Sequence, residues 1–353
     1  MPSRSKKGRR NGREEEEKEG REGRKEGEGR GEGGEEGGLE FTLEKVIRSN
    51  DKEDRLELVI KLDPKRYERK TINGEVGYLD THTNTFIPED ALRLIFDEMI
   101  KQPIQGIEND GRSRKDLYSS IVESQARIKK MLKNGLRFDS VITPSEKYLA
   151  NHINMKLDVI VLYADIVDST SMSMSLPADR LANLIKVFMQ EMSYLIAAYH
   201  GYVLKYAGDC VIAFFPVGRD AGEACVRVVN CARAMLNITR YAINQVLKEY
   251  GYPELRIKIG IDLGENQIVM LGGTLDLLGY TMSITSKIVE LAKPWQIVIG
   301  KWVYDALPEE FKQSFRELRL RRDVWNYRDS REGKYYNLYL LKESRLGSRI
   351  RLI

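Results

Sequence analysis

The chain has little from which to build a thiol or histidine centre. Its three cysteines, Cys210, Cys225 and Cys231, form no CxxC pair, which argues against a disulfide framework or a zinc site and for reduced core thiols. Its three histidines, His82, His152 and His200, are scattered, so a histidine-rich metal site is not expected. No apolar run approaches the ~20 residues that a membrane helix needs. The N-terminus lacks the apolar core of a signal peptide, and cytoplasm is the expected location. A net charge of +4 over 353 residues is too small for a dedicated nucleic-acid surface. What is present, 42% apolar residues in a chain of this length, suffices for one large core or two domains plus tails.

Residues 1–38 hold eleven Gly, eleven Lys or Arg and eleven Glu. Such a segment cannot bury enough surface to offset chain entropy, so it is expected to be a disordered tail. Six of its basic residues fall between Arg4 and Arg13, an arm that either touches RNA or anionic lipid or is merely solvated. Residues 39–150 read as a small regulatory or connector region. In it RLELVIKL, ending at Asp63-Pro64, suggests a strand. PEDALRLIFDEMI, starting at Pro88, has the proline-first, early-acid signature of a helix start. Leu117, Ile121, Val122, Ile128, Met131 and Leu132 follow a helical period with Gly135 as its stop. That helix is either a dimer-forming connector or an ordinary packed helix. The segment 343–353, ESRLGSRIRLI, is a basic apolar tail with no assignable role.

From Lys156 the pattern becomes regular. LDVIVLYAD reads as a strand, Pro177 to Tyr199 as a long helix, and YVLKYAGDCVIAFF as a hairpin turning at Gly208-Asp209. Asp220 to about Tyr250 reads as a second long helix, and LRIKIGIDLG and QIVMLGG as two strands. A helix from about Thr281 to Ala292, the strand QIVIG and a closing strand in YYNLYLLK complete the region. The β-α-β-β-α-β order predicts an α+β, ferredoxin-like fold, a mostly antiparallel sheet covered by helices.

Asp165 and Asp209, about forty residues apart, each end an apolar, β-branched run. A carboxylate at the tip of a buried strand is costly unless it is paired or holds a metal, and two at neighbouring strand ends suit a two-metal phosphoryl-transfer site.

Five segments, LYADIVDST, HGYVLKYAGDCVIAFF, IKIGIDLG, LDLLGYTMSITSKIVELA and YYNLYLL, make residues of about 157–341 resemble the catalytic domain of class III nucleotide cyclases, the adenylate and guanylate cyclases. The resemblance implies a palm-type nucleotide cyclase fold over residues 151–342. It also implies that Asp165, Asp209 and the backbone carbonyl of Ile166 bind two Mg²⁺ or Mn²⁺ ions, with backbone N–H groups at Val167, Ser169 and Thr170 cradling phosphates. Asp168 in that turn suits a triphosphate only if it points away. Lys205, four residues before Asp209, and Asp276, three before Gly279, match the adenine-selecting pair and imply ATP as substrate and 3′,5′-cyclic AMP as product. The family's ribose-orienting asparagine and transition-state arginine are here Ser283 and Lys287, at i, i+4 on one helix face. Serine is shorter than asparagine, and lysine lacks the planar fork of arginine. The expected function is therefore an adenylate cyclase, or alternatively a weak or inactive cyclase-homology domain that binds nucleotide and signals by dimerising. Since the family splits metal and base residues between subunits, a head-to-tail homodimer is expected. Lys334 lies near the family's phosphate lysine in uncertain register, and Asp262 matches a structural position.

Overall fold

A computed structural model describes residues 38–48, 56–101, 116–134, 143–329, 332–342 and 349–353. The charged tail through residue 37, its basic arm and the expected helix stop at Gly135 lie outside the described residues.

The N-terminal part holds more structure than its sequence suggests. Strands β1 (Phe41–Arg48) and β2 (Leu56–Leu62) pair antiparallel. Strands β3 (Tyr67–Ile72), β4 (Glu75–Asp80) and β5 (Thr85–Pro88) form an antiparallel meander. The β3–β4 link is Asn73-Gly74, both at positive φ, the conformation that the tightest hairpin turn requires. Helix α1 (Glu89–Lys101) starts straight after Pro88, with Glu89 and Asp90 in its first turn, where acids complement the helix dipole. Helix α2 (Leu117–Asn134) follows, and Tyr118 ties it to the meander. The Tyr118 hydroxyl donates to Asp80 Oδ2 at 2.5 Å and accepts from Arg66 at 3.0 Å, while Arg66 pairs with Asp80 at 2.9 Å. Burial alone raises the Asp80 carboxyl, but the hydrogen bonds from Arg66 and Tyr118 hold it down at about 2. Helix α3 (Thr143–Ala150) leads to the main sheet.

That sheet grows from β6 (Lys156–Ile166), followed by α4 (Ser169–Ser175) and α5 (Ala178–Ala198). The hairpin β7 (Tyr202–Ala207) and β8 (Cys210–Pro216) comes next. The second long helix runs as α6 (Ala221–Ile238), a π-helical turn (Thr239–Ile243) and α7 (Asn244–Glu249). Then come β9 (Ile257–Leu271), β10 (Thr274–Leu278), α8 (Tyr280–Leu291) and β11 (Ile297–Gly300). Short helices α9 (Lys301–Ala306) and α10 (Glu309–Lys312) precede β12 (Phe315–Glu317) and β13 (Leu338–Leu341). The strand order is β12-β13-β11-β9-β6-β8-β7, with β10 hairpinned on β9. Among the described pairings in this sheet, β11 with β9 alone is parallel. The central β9-β6-β8-β7 is the ferredoxin-like arrangement of a β-α-β-β-α-β unit, as the element order predicted.

Alternation along β6 divides the molecule. Ile160, Leu162, Ala164 and Ile166 join the large core with Phe188 of α5 and Val228 and Ala232 of α6. Val159, Val161 and Tyr163 face the other way, toward Leu149 of α3, Ile212, Phe214, Ile268 and Leu277. Asp165 continues the second set by the two-residue period of a strand.

Two sequence expectations are revised. The segments read as separate strands are one fifteen-residue strand, β9. Gly264 and Asn266 look like a break in sequence, yet β6 pairs with this stretch throughout, from Lys156↔Gln267 to Ile166↔Ile257. The turn lies further on, at Gly272 and Gly273, both with positive φ. The basic segment at the C-terminus contains a strand, β14 (Arg349–Leu352), which pairs parallel with β2 and completes a three-stranded sheet with β1.

Candidate active site

The two aspartates meet at one end of the sheet. In register, Asp165 sits between Cys210 of β8 and Lys258 of β9. Gly208 (φ 65°) opens the two-residue turn between Ala207 and Cys210 and presents Asp209 at its tip. A glycine at the first turn position is what such a hairpin needs. Burial raises the Asp165 carboxyl and the neighbouring charge of Asp209 raises it further, with Lys258 opposing both. Lys258 Nζ lies 3.3 Å from Asp165 Oδ2, and both side chains are about four-fifths buried. The site thus has a carboxylate pair whose mutual repulsion one lysine only partly offsets.

Beyond Asp165, Ile166 ends β6, Val167 and Asp168 form the turn, and Ser169 and Thr170 open α4. Val167 N–H donates to the Arg256 carbonyl at 2.8 Å, and the Arg256 guanidinium pairs with Asp168 at 2.5 Å. Asp168, held at φ 59°, thus has a cation beside it. Helix α4 is only seven residues long, so its dipole adds little to that turn.

The second group lies on the same sheet face. Lys205 of β7 and Asp276 of β10 bond each other, Nζ to Oδ2, at 2.5 Å. Tyr163, half-buried between Cys210 and Asp276, has its hydroxyl pushed up to about 12, chiefly by burial and then by those two groups.

The third group stands apart. Helix α8 buries Thr281, Ile284, Thr285, Ile288 and Val289, leaving Ser283 and Lys287 exposed. Lys287 Nζ lies 2.9 Å from both oxygens of Glu290, which raises its pKa. Among the described residues, neither Ser283 nor Lys287 forms a hydrogen bond or ion pair with Asp165 or Asp209. Lys334 is exposed and pairs with Glu332 at 3.5 Å. Asp262 is fully buried beneath α8 and accepts from the Tyr336 hydroxyl at 2.7 and 2.9 Å.

Sequence reasoning passed over two residues. Lys258 is flanked by Ile257 and Ile259 inside a buried strand, and that misplaced charge was a usable signal. Arg256 gave none, because its partners lie 88 positions away at Asp168 and on the turn beside it.

Divalent cations fit this donor set. Two adjacent carboxylates and a strand-end carbonyl are hard oxygen ligands, and a cation would relieve the repulsion that raises Asp165. Among the described residues no three His, Cys, Asp or Glu side chains are grouped so as to hold a metal ion, so this site offers two carboxylates and a carbonyl. No helix among them is long and apolar enough to cross a membrane.

Residues 152–326 match the family model of the adenylate and guanylate cyclase catalytic domain, and this part of the chain is a member of that nucleotide cyclase family. Its curated relatives include a cytidylate cyclase from Escherichia coli, 24% identical over 161 residues, or 42% of this chain and 35% of that protein. They also include adenylate cyclase 1 from Rhizobium meliloti, 26% identical over 39% of this chain and 21% of that protein. A uridylate cyclase from Rhodovulum sp. is 25% identical over 54% of this chain and 80% of that protein. The match thus spans about a third of the length of the Escherichia coli relative. The solved structures similar to the chain include the adenylyl cyclase CyaB from P. aeruginosa, at 22% identity and a TM-score of 0.45, covering 54% of this chain and 96% of that one.

Proposed function

We propose that residues 151–342 form a cytoplasmic adenylate cyclase unit, which converts ATP to 3′,5′-cyclic AMP and pyrophosphate and works as a head-to-tail homodimer. The observation that carries this reading is the carboxylate pair, with Asp165 driven up by burial and by Asp209 and thus short of positive charge. Asp165, Asp209 and the Ile166 carbonyl would hold two Mg²⁺ or Mn²⁺ ions, which when bound acidify the ribose 3′-hydroxyl and neutralise the triphosphate. Lys258, partnered with Asp165, is free to turn toward phosphate once that carboxylate has another cation. Arg256 keeps Asp168 away from the triphosphate that Val167, Ser169 and Thr170 would line.

Lys205 and Asp276 support adenine. Their direct bond holds an ammonium donor beside a carboxylate acceptor, a pair that suits adenine N1 and its 6-amino group. In the reaction O3′ bonds to the α-phosphorus, the bond to the β-phosphate oxygen breaks, and the hydroxyl proton leaves to solvent. Ser283 would hydrogen-bond the ribose and Lys287 would meet charge developing on the phosphorus, both from the partner copy.

One observation favours a second reading, a nucleotide-binding dimer module with little turnover: Lys287 is already paired with Glu290. An arginine at such a position is worth ~10³–10⁵ in rate. Purified chain with Mn²⁺ and, in turn, ATP, GTP, CTP and UTP separates the possibilities, beside an Asp165→Ala/Asp209→Ala control. Cyclic AMP that vanishes in the control upholds the first reading, and preference for a pyrimidine nucleotide overturns the adenine assignment. Metal-dependent ATP binding without product leaves the second.

A further inference from the structure

We infer that the N-terminal part of the chain positions the carboxylate end of the site through the π-turn and α7, with Gln125 and Asn244 as the two positioning residues. The helical stretch Thr239–Glu249 is gripped from both sides. On the N-terminal side, fully buried Gln125 of α2 donates its amide to the Phe86 carbonyl of β5 at 2.9 Å and to the Tyr241 carbonyl of the π-turn at 3.1 Å. The wider π-turn offers that carbonyl to a side chain outside its own helix, a feature that often marks functional helices. Lys248 donates to the Asn73 carbonyl at the β3–β4 turn at 2.9 Å, Gln245 to Glu75 at 3.0 Å, and Lys129 pairs with Glu249 at 3.3 Å.

On the sheet side Asn244 makes the hydrogen-bonded connection. Asn244 donates to the Leu255 carbonyl and accepts from the Leu255 N–H, each at 2.8 Å. Leu255 is fully buried, so no water replaces these bonds. The residues after it hold the carboxylate segment: the Arg256 carbonyl accepts from Val167 N–H, its guanidinium pairs with Asp168, and Lys258 pairs with Asp165. A shift of the meander or α2 therefore acts on the Asp165–Asp168 backbone through the buried bonds of Gln125 and Asn244 and then through Arg256, whose carbonyl holds Val167.

Amide exchange in the full chain, read by mass spectrometry, tests this without requiring turnover; only its consequence for metal rests on the cyclase reading. Gln125→Met keeps the volume and removes the donor, Asn244→Ser shortens the clamp, and Lys248→Met removes an exposed contact that folding does not need. The expected result is exchange about fivefold faster across residues 165–168 in Gln125→Met and in Asn244→Ser, the worth of one buried hydrogen bond, with residues 297–300 unchanged. Lys248→Met moves the same segment in the same direction by less. In turnover assays the half-saturating Mn²⁺ concentration rises while kcat at saturation stays within about twofold of the parent. Unchanged exchange at 165–168 in Gln125→Met and Lys248→Met overturns the inference, as does a uniform increase over the whole sheet. A parent chain without cyclase activity sinks the functional reading and leaves the exchange result to decide this one alone.

Discussion

Asp165 is the residue on which two charges converge, Lys258 on the neighbouring strand β9 and Asp209 at the turn beside it. A carboxylate so placed gains more from a divalent cation than from a single lysine. Asp165→Asn is expected to lower Mn²⁺-dependent turnover by ~10² or more, and to remove the rise in melting temperature that Mn²⁺ gives the parent. A Mn²⁺ shift that survives the substitution would place the cation elsewhere. Ser283→Asn/Lys287→Arg tests the third group: a gain of tenfold or more, about 1.4 kcal/mol, means the natural pair limits turnover, and no gain means it does not. Asp262 offers a pH signature of its own. Full burial pushes its carboxyl up to about 7 against Tyr336's opposing hydrogen bond, with Asp329 adding to the rise. Because the folded value lies above the unfolded one, the folded state binds the proton more tightly, so stability falls as pH rises through the window between them. Compared with Asp262→Asn, the parent is expected to lose ~2 kcal/mol more between pH 5.5 and 8, read by chemical denaturation. Parallel curves would show that Asp262 does not titrate there.

Among the elements, α8 shows how local chemistry sets a site. It lies against β9 because Gly260 and Gly264 leave room. A Cβ at Gly260 would come within 2.8 Å of Val289 N, and one at Gly264 within 2.3 Å of Thr281 Oγ1. The approach lets α8 bury Ile284, Ile288 and Val289, worth ~1.5–3 kcal/mol each, while Ser283 and Lys287 keep to the outer face. Gly260→Ala is expected to destabilise the chain by ~1–3 kcal/mol through overpacking and to lower turnover by tilting the outer face; an unchanged melting temperature would contradict the packing. The long second helix shows the converse. Its apolar pattern is uninterrupted, yet it contains a π-turn whose Tyr241 carbonyl is taken by Gln125 of α2.

For the whole molecule, the expectation that follows from divided sites is complementation. An Asp165→Ala chain keeps intact Lys205 and Asp276, and a Lys205→Ala chain keeps intact Asp165 and Asp209. Mixing two inactive variants should restore about a quarter of parental activity, since half the dimers are mixed and each holds one intact site of two. No recovery on mixing, with dimers present, would mean that each site is built within one chain. Exposed Met270, Leu271 and Leu278 put apolar surface on the β9–β10 hairpin that carries Asp276. At this scale too, β14 joins the C-terminal segment to the N-terminal sheet, tying the ends of the described chain together across the cyclase domain.

Apolar alternation and glycine placement by themselves determined part of the main sheet and its helices: β6, the β7–β8 hairpin with Asp209 at its tip, both long helices and α8 are legible because each carries its own period or turn residue. The carboxylate pair was legible for the same reason, since strand-end acids stand out against apolar runs. What only the tertiary structure decided depends on partners far apart in sequence. β9 runs through Gly264 and Asn266 because β6 pairs with it throughout, β14 exists because β2 offers an open edge, and the meander closes on α2 through the Arg66–Asp80–Tyr118 contacts. The same holds at the site, where Lys258 faces Asp165 and Arg256 pairs with Asp168 only once β9 lies beside β6. Local sequence sets the period and the turns, whereas pairing energy and charge compensation between distant residues arise only when the chain is folded.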